Sequence, residues 1–111
     1  MSDCPVKYAL SILNGKWKFQ IVWELYQQEV IRFNELQRRL FGISSFMLAK
    51  SLEELEQHKI VSRKQYNEIP PRVEYSLTEL GKALKPALEQ LGSWGTRAYH
   101  ETHPEKKDQR G

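Results

Sequence analysis

One cysteine, Cys4, is all the thiol chemistry this sequence has, so no disulfide can form within the chain and no disulfide scaffold holds its fold. Also missing is any apolar run near the roughly 18 residues that a membrane-crossing helix needs. The opening MSDCPVKY has neither the charged nor the apolar region of a secretory signal. Together these absences predict a cytoplasmic chain with no membrane partner. There is no Gly-rich phosphate loop, no Ser-His-Asp set in a recognisable context and no carboxylate pair with a cleft around it. His100 and His103 stand one turn apart, but no cysteine or carboxylate pair completes a metal site with them. The expectation is therefore a protein that is not an enzyme and holds no metal or cofactor.

What the chain does have is 111 residues, 40% of them hydrophobic and 28% charged, the composition of one ordinary domain with a modest core. The net charge of +3 and the pI near 9.0 lean mildly toward an acidic partner, so the placement of the cations has to carry that argument. Residues 1–102 read as one domain and residues 103–111 as a polar tail.

Pro5 suits the first position of a helix, and Val6, Ala9, Leu10 and Leu13 follow at helical spacing until Asn14-Gly15. Lys16 to about Gln28 reads as a second helix. Apolar groups surround it (Trp17, Phe19, Ile21, Val22, Trp23, Leu25, Tyr26), which predicts a buried central element. VIRF is long enough only for an edge strand. Asn34 is the expected cap of a third helix carrying Leu36 and Leu40 and closed by Phe41-Gly42. Ser44 caps a fourth, with Leu48, Leu52 and Leu55 on one face. Two strand-like runs, Ile60 to Tyr66 and Arg72 to Leu77, are joined by NEIPP, and Thr78 caps the last long helix, which Pro86 must kink or restart.

The order predicts a mainly α chain with a small β-hairpin (α+β): a helix-turn-helix around LFGIS followed at once by a wing. Pro70 and Pro71 fix φ and remove two amide donors, so the turn between the strands projects as a preset loop. A merely rigid surface turn is the plainer reading of NEIPP alone; its position after a helix-turn-helix favours the wing.

CPVKYALSILNGKWK, RFNEL, LFGIS with its leucine-spaced helix, LEELEQHKIVSR and IPPRVEYSLTELGKAL occur in one order from about Cys4 to Gly95. In these pieces the sequence resembles the HxlR family of bacterial and archaeal transcriptional regulators, relatives of the MarR group. The resemblance implies a winged helix-turn-helix homodimer whose first and last helices form the interface, with two winged helices on successive major grooves of duplex DNA. It also implies a wing along the minor groove, a role that falls here to Arg63, Lys64, Asn67 and Arg72.

On the fourth helix the 3.6-residue period sets Phe46, Lys50, Glu53 and Gln57 opposite the buried leucines. Ser44, Ser45, Phe46, Ala49 and Lys50 lie where a recognition helix reaches base edges. Lys16, Lys18, Arg38, Arg39, Arg63, Lys64 and Arg72 are the candidate phosphate contacts, although cations at element ends are also ordinary solubility residues. Glu53 and Glu54 oppose a polyanion unless they face away or are paired. Leu80, Leu84, Leu88, Leu91, Trp94 and Ala98 form an apolar stripe on the last helix. With Val6 and Leu10, the stripe residues Leu84, Leu88, Leu91 and Trp94 are the expected dimer seam; a helix packed on its own core is the alternative.

Cys4, at a helix start whose amides and positive dipole end favour a thiolate, is either a sensing thiol or a small packing residue. Family members that sense oxidants or electrophiles through a cysteine at the matching place make the first reading the one the resemblance implies. Tyr8, Trp17, Trp23 and Tyr26 either line a pocket for a small-molecule effector or fill the core. The sequence thus reads as a homodimeric, sequence-specific DNA-binding repressor with Cys4 as its redox sensor. A winged helix used only for protein contacts is the alternative, favoured by Glu53, Glu54 and the modest charge. A thiol enzyme built on Cys4 lacks a positioned base.

Overall fold

The computed structural model describes residues 4–104, in the order α1 (Pro5–Ile12), α2 (Lys18–Gln27), β1 (Ile31–Arg32), α3 (Phe33–Arg39), α4 (Ser45–Gln57), β2 (Val61–Tyr66), β3 (Arg72–Leu77), α5 (Glu79–Ala83) and α6 (Lys85–Thr102). The expected polar tail begins at His103, and its residues 105–111 lie outside the described residues. The strands make one antiparallel sheet in the order β1-β3-β2, so the architecture is α+β, a winged helix-turn-helix.

α4 follows its sequence signals closely. Ser44 Oγ accepts a hydrogen bond from the Met47 amide at 3.0 Å, satisfying one of the orphan donors at the helix start. Leu48, Leu52 and Leu55 are completely buried. At the other end the Ile60 amide donates to Leu55 O and the Lys59 amide to Glu56 O, both at 2.9 Å. This closing pattern requires a left-handed residue, and Lys59 supplies it with φ 61°. The chain reverses there and enters β2 at once, so the wing springs directly from the end of α4.

Three helix starts differ from the sequence reading. β1 passes into α3 with no intervening loop, so Arg32 occupies the cap position and Asn34 falls inside the first turn. α2 begins at Lys18 with Trp17 before it, leaving Lys16 in the preceding turn. Thr78 caps the short α5; the chain breaks at Leu84, and α6 restarts with Pro86 in its first turn, where a missing amide hydrogen removes no helical bond.

Nor is α2 buried all round. Ile21, Val22 and Leu25 are in the core, while Phe19 and Trp23 keep 41% and 36% exposure and stack on each other with ring centroids 5.9 Å apart. Leu36, Leu40 and Ile43 from the helix-turn-helix, Tyr75 and Leu77 from β3, and Leu88 from α6 complete one core with the α4 leucines. Leu88 thus packs against its own chain rather than forming a dimer seam. α1 contributes no buried residue.

The elements meet at one junction. The Thr78 amide donates to Ile60 O at 3.0 Å, its hydroxyl donates to Lys59 O at 2.5 Å, and its Oγ1 accepts from the Gly81 amide at 3.0 Å. From the other side the Tyr26 hydroxyl donates to Gly81 O at 2.6 Å. Burial, and secondarily the charge of Glu89, raises the Tyr26 phenol above its ordinary pKa, so it stays a donor. A Cβ on Gly81 would collide with the Ile60 carbonyl oxygen and sit 3.1 Å from Leu77 Cδ2. Gly81→Ala should therefore lower stability by about 1–3 kcal/mol through overpacking, read as a shifted urea midpoint. Lys59→Gly should move the midpoint the opposite way, by about 1 kcal/mol, because glycine adopts the left-handed turn without the Cβ clash.

Candidate nucleic-acid interface

Between α3 and α4 the chain turns on Gly42, at φ 91°, with Leu40 and Ile43 buried on either side and the Ile43 amide bonded to Leu40 O at 3.0 Å. The Gln37 side chain braces this turn, donating to Ile43 O at 3.3 Å and accepting from Ser45 Oγ at 3.3 Å. Ser44 and Ser45, both expected at base edges, thus also hold the turn and start α4. Beyond them Phe46 is 72% exposed, and Ala49, Lys50, Glu53 and Gln57 are exposed on the same flank of the helix.

Ala49, Glu53, Glu56 and Gln57 of α4 and Arg63 and Tyr75 of the hairpin line a common groove of about 610 Å³. The register pairs Arg63 with Tyr75, Lys64 with Glu74 and Tyr66 with Arg72. Directly opposed residues share a sheet face and successive residues alternate. Arg63 therefore lies on the α4 side, and Lys64, Tyr66, Glu74 and Arg72 on the other. The wing cations divide between the two faces.

Their pairing divides them further. Arg72 lies 3.4 Å from Glu68 and 3.3 Å from Glu74, with its guanidinium 3.8 Å from the Tyr66 ring centroid. The Glu74 contact is one of charge; the Arg72 Nε hydrogen is not aligned for a hydrogen bond. Two carboxylates and a ring hold this arginine within the wing. Lys64 lies 4.9 Å over the same ring, and Arg63 donates to Gln65 at 3.2 Å. Asn67 is exposed in the loop.

At the end of α3, Arg38 pairs with Glu35 yet its side chain is 74% exposed, whereas Arg39 is held by Glu35 at 3.1 Å, Glu24 at 3.4 Å and the side chain of Gln28. Hydrogen bonds from Arg38 and then Arg39 hold the Glu35 carboxyl below its usual range. Lys16 is exposed, its ammonium 4.8 Å from the Trp17 ring.

Lys18 is not among the outward cations. Its ammonium lies 2.8 Å from Glu54, the side chain is only 13% exposed, and the contact ties α2 to α4. The same bond lowers the Glu54 pKa and neutralises one of the two acids that seemed to oppose a polyanion. Lys18 thus braces the recognition helix instead of reaching a phosphate. Sequence reading missed this pair, and also missed Phe41 in the turn and Ile69 at the wing tip, which are 96% and 100% exposed.

Cys4 stands at the cap position of α1, half-buried, its carbonyl accepting from the Tyr8 amide at 3.1 Å. Val6 and Leu10 on α1 and Leu91 and Trp94 on α6 are exposed, and Leu84 is half-buried. His103 stacks on the Tyr99 ring, centroids 4.2 Å apart. Among the described residues no helix is long and apolar enough to cross a membrane.

A turned helix pair with a hairpin beside its second helix defines a winged helix-turn-helix regulator, and comparison narrows the class. Residues 12–103 match the family described as HxlR-like helix-turn-helix, and the chain belongs to that family. It is 43% identical over 97 residues to an uncharacterised HTH-type transcriptional regulator, BH0655, of Halalkalibacterium halodurans, covering 87% of this chain and 86% of the relative. Among solved structures, the redox regulator HypR in its reduced form is 38% identical with a TM-score of 0.82, over 91% of this chain and 99% of that one. The reduced form of the transcriptional regulator YodB from Bacillus subtilis is 37% identical with a TM-score of 0.74, over 84% and 91%. The chain is accordingly a transcriptional regulator, not an enzyme.

The two kinds of cation should separate experimentally. Arg38→Ala should lower the log–log salt slope of DNA binding by roughly 0.9, one phosphate contact, whereas Lys18→Met should leave the slope unchanged and lower the denaturation midpoint. Because the folded Glu54 pKa is depressed, its contribution to stability is present above the ordinary carboxylate pKa and disappears as pH falls through the lowered value. Glu54→Gln should therefore flatten the acid limb of the stability–pH curve, measured by denaturant titration at a series of pH values.

Proposed function

We propose that the chain is a homodimeric, sequence-specific repressor working in the cytoplasm. Each protomer lays α4 in the major groove of one half-site and its wing along the adjacent minor groove. The observation that carries this reading is the open groove that the exposed flank of α4 shares with Arg63 of the hairpin. Ser44, Ser45, Phe46, Ala49 and Lys50 meet base edges, Phe46 lying against a thymine methyl. Lys16, Arg38, Arg63 and Lys64 take phosphates, Asn67 approaches the minor groove, Arg39 acts by bracing α3 against α2, and Arg72 acts through the stiffness of the wing.

Val6, Leu10, Leu91 and Trp94, with Leu84 at the edge, form the dimer seam; a second copy is the simplest cover for apolar groups on the first and last helices. An apolar cavity of about 350 Å³ between α1 and α5, lined by residues that include Tyr8, Ile12, Leu13, Ile60 and Leu80, suits a small apolar effector.

Cys4 begins the same helix that carries Val6 and Leu10, so its oxidation acts on the seam. HypR is described as a redox regulator, and YodB has a diamide-treated structure with a TM-score of 0.73 to this chain. In an intersubunit disulfide, two Cys4 thiols lose two protons and two electrons, and diamide takes up both to become the hydrazine.

Trp94→Arg should yield a monomer in size-exclusion chromatography with light scattering, and an unchanged mass would remove the seam from the reading. For the sensor, fluorescence anisotropy on the DNA upstream of the chain's own gene should change several-fold in affinity when the protein is oxidised with diamide. Cys4→Ser should abolish the change; overlaying curves in the wild type would make Cys4 a packing residue. Absence of binding to mixed genomic fragments, and with it of any steep salt dependence, would instead favour a protein-contact module.

A further inference from the structure

At the far end of the wing, Ile69 is completely exposed. Other exposed apolar groups lie on helices or in the helix-turn-helix turn: Val6 and Leu10 on α1, Leu91 and Trp94 on α6, Phe46 on the flank of α4 and Phe41 in the turn before it. Ile69 lies between Glu68 and the two prolines; those three neighbours border a groove shared with β1 and α3, whose lining does not include Ile69. We propose that Ile69 is an apolar wedge that enters the minor groove and kinks the duplex at a flexible pyrimidine–purine step. This rests on the wing occupying the minor groove.

Rigidity is the first requirement, because a wedge on a soft loop would fold back before it unstacked two base pairs. The β2–β3 ladder holds register from Val61↔Leu77 to Tyr66↔Arg72, the last residues before the tip. Beyond the ladder the Glu68 amide bonds to Tyr66 O at 3.0 Å, while Pro70 and Pro71 fix φ on the return. Arg72 crosses the base of the loop, on Glu68 at 3.4 Å and over Tyr66 at 3.8 Å.

Electrostatics is the second. A groove walled by phosphates repels a carboxylate at its entrance, and Glu68 is the acid nearest Ile69 in sequence; Arg72 neutralises it. Arg63 and Lys64 point from opposite faces of the hairpin, which suits a ribbon standing edge-on between two phosphate walls with its tip toward the base pairs. An apolar residue leading such a ribbon unstacks a step, and pyrimidine–purine steps yield most easily. The wing would thereby select sequence by deformability, independently of the base edges read by α4.

Two measurements on the dimer bound to the DNA upstream of its own gene decide the matter. Circular-permutation mobility or end-to-end fluorescence transfer should show a bend of about 20° or more with the wild type. Ile69→Ala should lose most of that bend, and Ile69→Leu should keep it. A TA step under the tip should be preferred over AA by about tenfold in the wild type, and equally tolerated by Ile69→Ala. The salt slope and the denaturation midpoint of Ile69→Ala should match the wild type, since the side chain is wholly outside the fold. Arg63→Ala and Lys64→Ala serve as the control, each lowering the slope by roughly 0.9. If they do so while the wild type and Ile69→Ala bend DNA equally, the wing is in its groove and the wedge is refuted. If they leave the slope unchanged, the wing is elsewhere and the wedge falls with it.

Discussion

The hydrogen bonds around Thr78 are the constraint on which the arrangement depends. Through its amide, its hydroxyl and its side-chain oxygen, this one residue fixes the turn after α4, the root of β2 and the start of α5. Tyr26 clamps the same point from α2 by way of Gly81. The approach is close enough that only hydrogen fits on the Gly81 Cα. The recognition helix, the wing and the segment leading to α6 therefore share one anchor. α6 follows α5 directly at Leu84, and α5 is bonded at Thr78 to the root of the wing. In the proposed repressor, a signal that alters α6 would have a short path through this junction to α4 and the wing.

α1 has a different status. It starts with a proline, ends cleanly and carries apolar groups at helical spacing, yet none of its residues is buried in its own chain. An isolated helix of this length has little stability in water. In the proposed dimer α1 acquires its packing from the partner, so folding of this segment and association become one equilibrium that depends on protein concentration.

Local signals carried the sequence reading of the fold. Ser44 followed by Leu48, Leu52 and Leu55, and two strand runs flanking a double proline, each encode their structure within a few residues. The family was legible for the same reason, as a series of such segments in order. What failed depended on distant parts of the chain. Lys18 looked like any cation at a helix start because Glu54 is far away in sequence, and only the crossing of α2 and α4 brings them together. Leu88 belonged to a stripe that periodicity cannot divide between core and surface; the break at Leu84 decides which side it faces. Asn34 is a good cap residue, but the strand before it runs straight into the helix and takes the position. The candidate interface was legible as a region, in α4 and the wing, while the state of each cation was not, because ion pairing is a tertiary property.

That pairing has a consequence for how such a protein finds its target. Lys18, Arg39 and Arg72, none more than 30% exposed, are held by carboxylates of their own chain, so the surface offers DNA fewer unengaged cations than its composition suggests. Nonspecific affinity rises with each phosphate neutralised, and a chromosome presents an enormous excess of wrong sites. A regulator that is sticky everywhere spends its copies on the wrong sequences. By keeping these three cations occupied internally, the proposed repressor would shorten its stay on random DNA and leave discrimination to the exposed flank of α4 and the wing. Glu54, one of the two acids that seemed out of place in a DNA-binding protein, takes part in this by holding Lys18.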